Sequence, residues 1–248
     1  MKSGRFWEVD AARGIAILMM VVYHLAYDLD TFGGYPIEST SGLWAWFADA
    51  TASAFLFLVG VSLAISYGRA TSSGERRNLF GKYLLRGLRI LGYALVLTGV
   101  SLILGMGVIA FGILHVIAIS IILAYPLLGF RWLNLALGLA VVAAGALMMA
   151  ADASSDVPWL LPLGVVPENL AMPDYRPLLP WFGVVLFGLF AGNLVYGAGK
   201  RPPVPQSAPS PARPLVPMGE NSLLIYLIHQ PILIVLLAAL GIIDLPSI

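Results

Sequence analysis

The chain contains no cysteine, and only 11% of its 248 residues are charged. The absence of cysteine excludes a disulfide, a thiolate metal site, an iron–sulfur cluster and a cysteine nucleophile. Soluble domains contain about 25% charged residues, so the low charge and the 59% hydrophobic content exclude an ordinary soluble enzyme. The 14 basic and 13 acidic residues are nearly balanced, and we therefore expect no nucleic-acid partner. We interpret the chain as a multi-pass membrane protein, with the lipid bilayer as its first partner.

Long apolar runs predict transmembrane helices. A hydrocarbon core of about 30 Å requires ~20 helical residues at ~1.5 Å each. This length predicts seven helices, at 11–29, 43–68, 82–104, 107–129, 132–151, 178–198 and 219–241. A cytoplasmic N-terminus and an outer C-terminus place thirteen of the 14 basic residues on the inner side, as the positive-inside rule requires. The predicted fold is an all-α transmembrane helix bundle of about seven helices, in the inner or plasma membrane of the cell.

We expect residues 1–248 to form a single transmembrane domain with a Pro-rich cytoplasmic linker at 199–217. Seven prolines lie between Arg201 and Pro217, a composition that favours extended backbone over helix.

Ionisable side chains inside a membrane are costly, so each one suggests a function. Arg13 and His24 lie eleven positions apart in the first helix, on nearly the same face and ~16 Å apart along the axis. Estimated depths below the outer surface are ~9 Å for His24 and Asp49, ~12 Å for His115 and ~18 Å for His229. We expect these groups to converge in the outer half of the membrane. The candidate catalytic residues are His24, Asp28, Asp49, His115 and His229.

Three arginines near the predicted inner face, Arg13, Arg86 and Arg89, are candidates for binding an anion. Each could instead be a snorkelling anchor, and His115 or His229 could be hydrogen-bonded packing residues. We expect no metal site. A proton-coupled transporter that uses the intramembrane His and Asp residues is the main alternative to an enzyme, and a haem protein is a third interpretation. A retinal protein is excluded because the seventh predicted helix contains no lysine.

Five segments resemble a known family of membrane enzymes. They are FWEVDAARGIAILMMVVYHLAYDLD at 6–30, FLFLVGVSLAIS at 55–66, YLLRGLRI at 83–90, FGILHVIAIS at 111–120 and GENSLLIYLIHQP at 219–231. Together they resemble the bacterial branch, of unknown function, of the membrane acyltransferases related to heparan-alpha-glucosaminide N-acetyltransferase. The spacing of Arg13 and His24 also resembles the motif of the acyltransferase-three membrane family. That likeness implies a catalytic role for His24, a donor-binding role for Arg13, and a second basic motif at Arg86 and Arg89.

The resemblance implies that the chain transfers an acyl group, most plausibly acetyl, from a cytoplasmic thioester such as acetyl-CoA to a sugar hydroxyl or amine on the outer side. The coenzyme A phosphates would meet Arg13, Arg86 and Arg89. His24 would act as general base, with Asp28 or Asp49 orienting the ring and with His115 or His229 as a secondary proton or oxyanion partner. Members of these families generally have more membrane helices than the seven predicted here, so a homo-oligomer is one way to supply the missing acceptor-binding part.

Overall fold

The computed structural model describes residues 5–74, 78–103, 105, 107–152, 154–167, 172, 174–197 and 203–243. The described residues are mostly helical, and their only β pairing is an isolated bridge between Ser154 and Val166. The all-α prediction is therefore confirmed. The α-helices are α1 (Trp7–Gly33), α2 (Gly42–Ser72), α3 (Leu79–Ile103), α4 (Ile113–Leu123), α5 (Trp132–Ala150), α6 (Leu178–Val195), α7 (Leu215–Glu220) and α8 (Ser222–Ala239).

Six of these helices, all except α4 and α7, are long and apolar enough to cross a membrane. They contain 18 to 31 residues, so even the shortest reaches ~27 Å along its axis. The fourth predicted span, 107–129, differs from the others, because its α-helix covers only the 11 residues of α4. A 3₁₀ turn at Tyr125–Leu127 follows it.

The irregular backbone before α4 is tolerated because neighbouring groups satisfy its hydrogen bonds. Thr98 of α3 donates a hydrogen bond to the Ile109 carbonyl at 2.6 Å, and Ser101 donates one to the Gly107 carbonyl at 2.6 Å. The backbone N–H of Ile113, at the start of α4, donates to the Asp174 carboxylate at 3.2 Å. Non-helical backbone at membrane depth requires such partners, since lipid offers none.

The chain divides into two compact units, one formed by Met1–Phe55 with Pro203–Ile248 and the other by Leu56–Pro202. In the first unit, α1 packs against both α7 and α8. A Cβ added at Gly219 of α7 would lie 1.7 Å from the Asp10 carbonyl oxygen, and one at Gly14 would lie 2.2 Å from the Leu215 carbonyl oxygen. Glycines thus allow direct backbone contact between α1 and α7, as small residues do between membrane helices.

The direction of the C-terminal helices follows from these contacts. Leu215 and Gly219 meet Gly14 and Asp10 in reverse order, so α7 runs antiparallel to α1. The chain then reverses at Asn221, and α8 runs parallel to α1, bringing Ile242 beside Gly33. If each long helix crosses the membrane once, an odd number of crossings must separate α1 from α8. Among the described helices, six are long enough to cross, one fewer than the seven predicted, and the parallel direction of α1 and α8 fits an additional crossing by the segment that contains α4.

The predicted Pro-rich linker is not extended throughout. Ser210–Ala212 form a 3₁₀ turn, and α7 begins at Leu215, inside the proline-containing segment. Pro217 is the third residue of α7, where its missing N–H would have no helical acceptor in any case. The prediction that this segment contains no helix was therefore wrong at its C-terminal end.

The second unit contains α3 to α6 and most of α2. Glycines again mark the close contacts, since a Cβ at Gly60 of α2 would lie 2.1 Å from the Val185 carbonyl oxygen of α6. One at Gly87 of α3 would lie 2.6 Å from the Ile122 side chain of α4. This packing places α3 directly beside the buried helix α4.

Candidate functional site

Two histidines meet between α1 and α8 in the first unit. The ring centroids of His24 and His229 lie 4.7 Å apart, with an interplanar angle of 81°. The ring of Tyr23 lies 5.4 Å from His24, and that of Tyr226 lies 5.7 Å from His229. His229 is 8% exposed. The structure therefore joins two of the five predicted catalytic residues across two helices that are far apart in sequence.

Both imidazoles are oriented by backbone carbonyls of their own helices. Nδ1 of His24 lies 2.9 Å from the Met20 carbonyl oxygen, and Nδ1 of His229 lies 2.7 Å from the Tyr226 carbonyl oxygen. A carbonyl oxygen only accepts hydrogen bonds, so each ring must present an Nδ1–H to it. The neutral form of each ring therefore has an unprotonated Nε2, which is the nitrogen able to accept a proton.

Asp28 forms the second polar contact between α1 and α8. Its side chain is 0% exposed, and Oδ1 accepts a hydrogen bond of 2.5 Å from Nε2 of Gln230. We expected Asp28 to orient the His24 ring, but the Met20 carbonyl does this instead. Asp28 lies one helical turn beyond His24, and Gln230 directly follows His229. The four residues His24, Asp28, His229 and Gln230 thus form one polar cluster, which we call the α1–α8 cluster.

The observed helix ends correct the estimated depths of the two histidines. Counting from Gly33 at the end of α1, His24 lies ~14 Å along the helix axis. Counting from Ala239 at the end of α8, His229 lies ~15 Å along its axis. The predicted difference of depth arose from span limits at 29 and 241, whereas α1 ends at Gly33, followed by the left-handed cap Gly34 with φ 67°, and α8 ends at Ala239.

Arg13 lies toward the opposite end of α1, in an ion-pair network. Its Nη1 lies 2.8 Å from the Asp10 carboxylate, and Arg5 bonds the same carboxylate through two nitrogens at 3.0 Å each. Glu220 lies 3.9 Å from Arg5. The side-chain hydrogen bonds that Arg5 donates to Asp10 raise the pKa of Arg5 above its ordinary value. The positive charge of Arg13 is therefore already countered within the protein by a residue that is 2% exposed.

Arg86 and Arg89 lie together in the second unit, along one cavity of about 280 Å³. The cavity is lined by Ser66, Lys82, Tyr83, Leu85, Arg86 and Arg89. Lys82, Arg86 and Arg89 are spaced i, i+4 and i+7, which places them on one face of α3. No carboxylate is among these lining residues. Tyr83 is buried and its hydroxyl lies 3.3 Å from the Ser66 hydroxyl, which joins α3 to α2. Three basic side chains therefore line this cavity.

The two remaining predicted residues have other surroundings. Asp49 is exposed and lies in the first half of α2. The carbonyls that bond the rings of His24 and His229 are those of Met20 and Tyr226, so Asp49 does not orient either ring through these bonds. His115 belongs to the second unit, where it is buried and stacks on Phe111 at 5.7 Å. Its Nδ1 accepts a hydrogen bond from the Gly112 N–H at 3.2 Å, so it caps the start of α4. This environment matches the packing alternative for His115.

Sequence reasoning missed three residues. Gln230 was overlooked because an amide is neutral, although its position beside His229 in an apolar helix was a usable signal. Asp10 was overlooked as a partner of Arg13, although the i, i+3 spacing is typical of a helical ion pair. Lys82 shares the helical face of Arg86 and completes the cationic side of the cavity. Within the part of the chain that the structure describes, there is no group of three His, Cys, Asp or Glu residues suited to a metal ion.

A family model described as heparan-alpha-glucosaminide N-acetyltransferase, catalytic, matches residues 5–231. No curated protein and no solved structure matches the chain. The matched range includes the whole α1–α8 cluster and the cationic cavity.

Proposed function

Because the chain belongs to the heparan-alpha-glucosaminide N-acetyltransferase catalytic family, we propose that it transfers an acetyl group from acetyl-CoA to a sugar hydroxyl or amine. The family assigns an acyltransferase type of chemistry to a protein whose helices suit a multi-pass membrane location. The donor, the acceptor and the side on which each binds belong to our proposal. We place the protein in the inner or plasma membrane, with the donor on the cytoplasmic side.

The observation that most supports this function is the meeting of His24 and His229 inside the matched range. Membrane helices rarely contain ionisable residues without a functional reason, and here two imidazoles from opposite ends of the matched range lie 4.7 Å apart. Each ring has its Nδ1–H held by a carbonyl, which leaves Nε2 as the proton acceptor. This is the arrangement that a general base requires.

We assign the role of general base to His24. Its Nε2 accepts the proton of the acceptor O–H or N–H while that oxygen or nitrogen attacks the thioester carbonyl. The C–S bond then breaks, and the coenzyme A thiolate takes the proton from the imidazolium. The products are an acetyl ester or amide and free coenzyme A. His229 is the second imidazole of this site, and its Nε2 exchanges protons; it stabilises the developing charge at the carbonyl oxygen only after Nε2 has been protonated.

We assign donor binding to the cationic cavity of the second unit. Coenzyme A carries phosphates, and arginine is suited to bidentate phosphate binding. Lys82, Arg86 and Arg89 present three cations on one helical face beside a cavity of about 280 Å³. Arg13 is a weaker candidate for the same role because Asp10 already bonds it at 2.8 Å. The roles of Asp49 and His115 remain predictions, and a homo-oligomer remains our expectation for completing the acceptor site.

The experiment that tests this function is a titration of acetyl-CoA into the purified protein, followed by addition of glucosamine as acceptor and measurement of free thiol in the same samples. We expect Arg86→Gln and Arg89→Gln each to raise the Kd by about tenfold or more, the value of one charged hydrogen bond. Arg13→Gln should have a smaller effect. His24→Gln should leave the Kd unchanged and abolish release of thiol. Arg131→Gln is the matched control, because Arg131 stacks on the Trp132 ring at 5.2 Å and does not line the cavity.

Two results would contradict the assignment. If the wild-type protein does not bind acetyl-CoA, the donor is wrong, and the transporter interpretation of the buried histidines gains support. If all four arginine variants weaken binding equally, the effect reflects net charge alone, and the cavity has no special role.

A further inference from the structure

The α1–α8 cluster contains three buried hydrogen-bond acceptors that have no partner among the described residues. They are Oδ2 of Asp28, Oε1 of Gln230 and Nε2 of His229. Asp28 is 0% exposed and His229 is 8% exposed. Buried polar atoms nearly always have partners, because an unpaired one costs about 1–3 kcal/mol. Three such atoms on adjacent residues therefore require a common explanation.

The chemistry of the three atoms restricts what can bind them. A carboxylate oxygen accepts hydrogen bonds, and an amide Oε1 only accepts them. Nε2 of His229 accepts in the neutral ring because Nδ1 carries the proton that is donated to Tyr226. All three atoms therefore lack a donor. A ligand that fits them must present several O–H or N–H groups, and an anion or an apolar group does not.

The interhelical hydrogen bond fixes the direction of the amide. Nε2 of Gln230 is held by Oδ1 of Asp28 at 2.5 Å, so Oε1 of the same amide has a defined position. Oδ2 of Asp28 is likewise fixed by the bond at the other carboxylate oxygen. The pair thus presents two oriented acceptors in the same cluster as the two imidazoles.

We propose that Asp28 and Gln230 form, together with His229, the subsite that binds the acceptor through its hydroxyl and amine donors. This inference rests on the proposed function and adds two residues to it. Asp28 and Gln230 act as specificity-determining residues that select a polyol or amino sugar, while His24 remains the general base. The subsite also gives a function to the Gln230 amide, which lies beside His229 in the apolar helix α8.

The competing explanation is that Asp28 and Gln230 only join α1 to α8. Gln230→Met tests it, since methionine has a similar shape and no hydrogen-bonding oxygen. Glucosamine is the probe acceptor, and the readouts are its KM, the Kd of acetyl-CoA and the thermal unfolding temperature. We expect a rise in KM of about tenfold with an unchanged Kd for acetyl-CoA.

Asn193→Met is the matched control, because Asn193 is an amide in α6 that donates to the Leu128 and Phe130 carbonyls at 3.1 and 3.0 Å. It should lower the unfolding temperature and leave the KM unchanged.

A double variant separates binding from a structural role. Asp28→Asn with Gln230→Glu exchanges the carboxylate and the amide but keeps an amide donor facing a carboxylate between the helices. Both free oxygens remain acceptors, but the charged one moves from α1 to α8, so we expect the KM for glucosamine to stay raised while the unfolding temperature returns to the wild-type value. An unchanged KM in Gln230→Met, or a return of the KM to the wild-type value in the double variant, would overturn the subsite.

The proposed function and the subsite fail in different ways. If the wild-type protein transfers no acetyl group to glucosamine, the proposed function is overturned. Binding of glucosamine alone, measured calorimetrically, then decides on the subsite. Binding that is weakened in Gln230→Met supports it, and absent or unaltered binding overturns it.

Discussion

Gly219 of α7 is the position where a single methyl group should have the largest effect on the first unit. A Cβ at this position would lie 1.7 Å from the carbonyl oxygen of Asp10 and 2.6 Å from its carbonyl carbon. Ordinary contact begins near 3.4 Å. Both groups are backbone, so no side chain can move aside. Gly219→Ala therefore requires α1 and α7 to separate by more than 1 Å at this point.

The expected cost follows from two opposing effects. Overpacking a close-packed site typically costs about 1–3 kcal/mol. Alanine is better than glycine inside a helix by ~1 kcal/mol, which offsets part of that cost. The separation would also disturb Asp10, whose carboxylate binds Arg5 and Arg13. The net of these two effects is a fall in the free energy of unfolding of about 0–2 kcal/mol for Gly219→Ala, and any loss of the Asp10 contacts adds to it.

Gly92→Ala in α3 is the matched control, because no atom lies within 4 Å of the Cβ position there. It should leave the stability unchanged or raise it by up to ~1 kcal/mol. The assay is denaturant unfolding of the purified protein in detergent, followed by circular dichroism. A Gly219→Ala variant as stable as Gly92→Ala would refute the close backbone contact between α1 and α7.

Two further predictions concern hydrogen bonds that support the fold. Thr98→Val should lower the free energy of unfolding by about 1–3 kcal/mol, because it leaves the Ile109 carbonyl without its 2.6 Å donor. Thr71→Val is the control, since the Thr71 hydroxyl bonds carbonyls of its own helix. An equal loss of stability in the two variants would contradict the prediction. Asp10→Asn should lower the denaturation midpoint more than Glu220→Gln does, since Asp10 binds two guanidinium groups at 2.8–3.0 Å, whereas Glu220 lies 3.9 Å from one. Equal midpoints for these two variants would show that the Asp10 network adds no stability.

The long helices were predictable from sequence because lipid requires ~20 apolar residues for each crossing. The ends of α4 were less predictable. Its flanking backbone depends on Thr98 and Ser101, and their hydrogen bonds to the backbone at 107–109 are visible only once α3 lies beside it. The helical start of α7 was missed for a related reason, because a count of prolines does not show that Pro217 falls in a first turn.

The candidate site was predictable only in part. The cost of burying an ionisable group made His24, Asp28 and His229 candidates, because each lies in an apolar segment of the sequence. Their pairing was not predictable, since the residues of α1 and α8 are separated by about 200 positions and the estimated depths disagreed. Gln230 is neutral and gave no such signal. Its importance follows only from the hydrogen bond to Asp28 and from the acceptor atoms left without partners.

The measurement that tests the central claim most directly is acetyl transfer across a membrane. Purified protein is reconstituted into liposomes, with radiolabelled acetyl-CoA on the side of the basic loops and glucosamine on the other side. We predict that the label appears on glucosamine with the wild-type protein, and that His24→Gln abolishes the label while acetyl-CoA still binds. Labelled glucosamine formed equally well by His24→Gln, or glucosamine moved across the membrane without any label, would contradict the account.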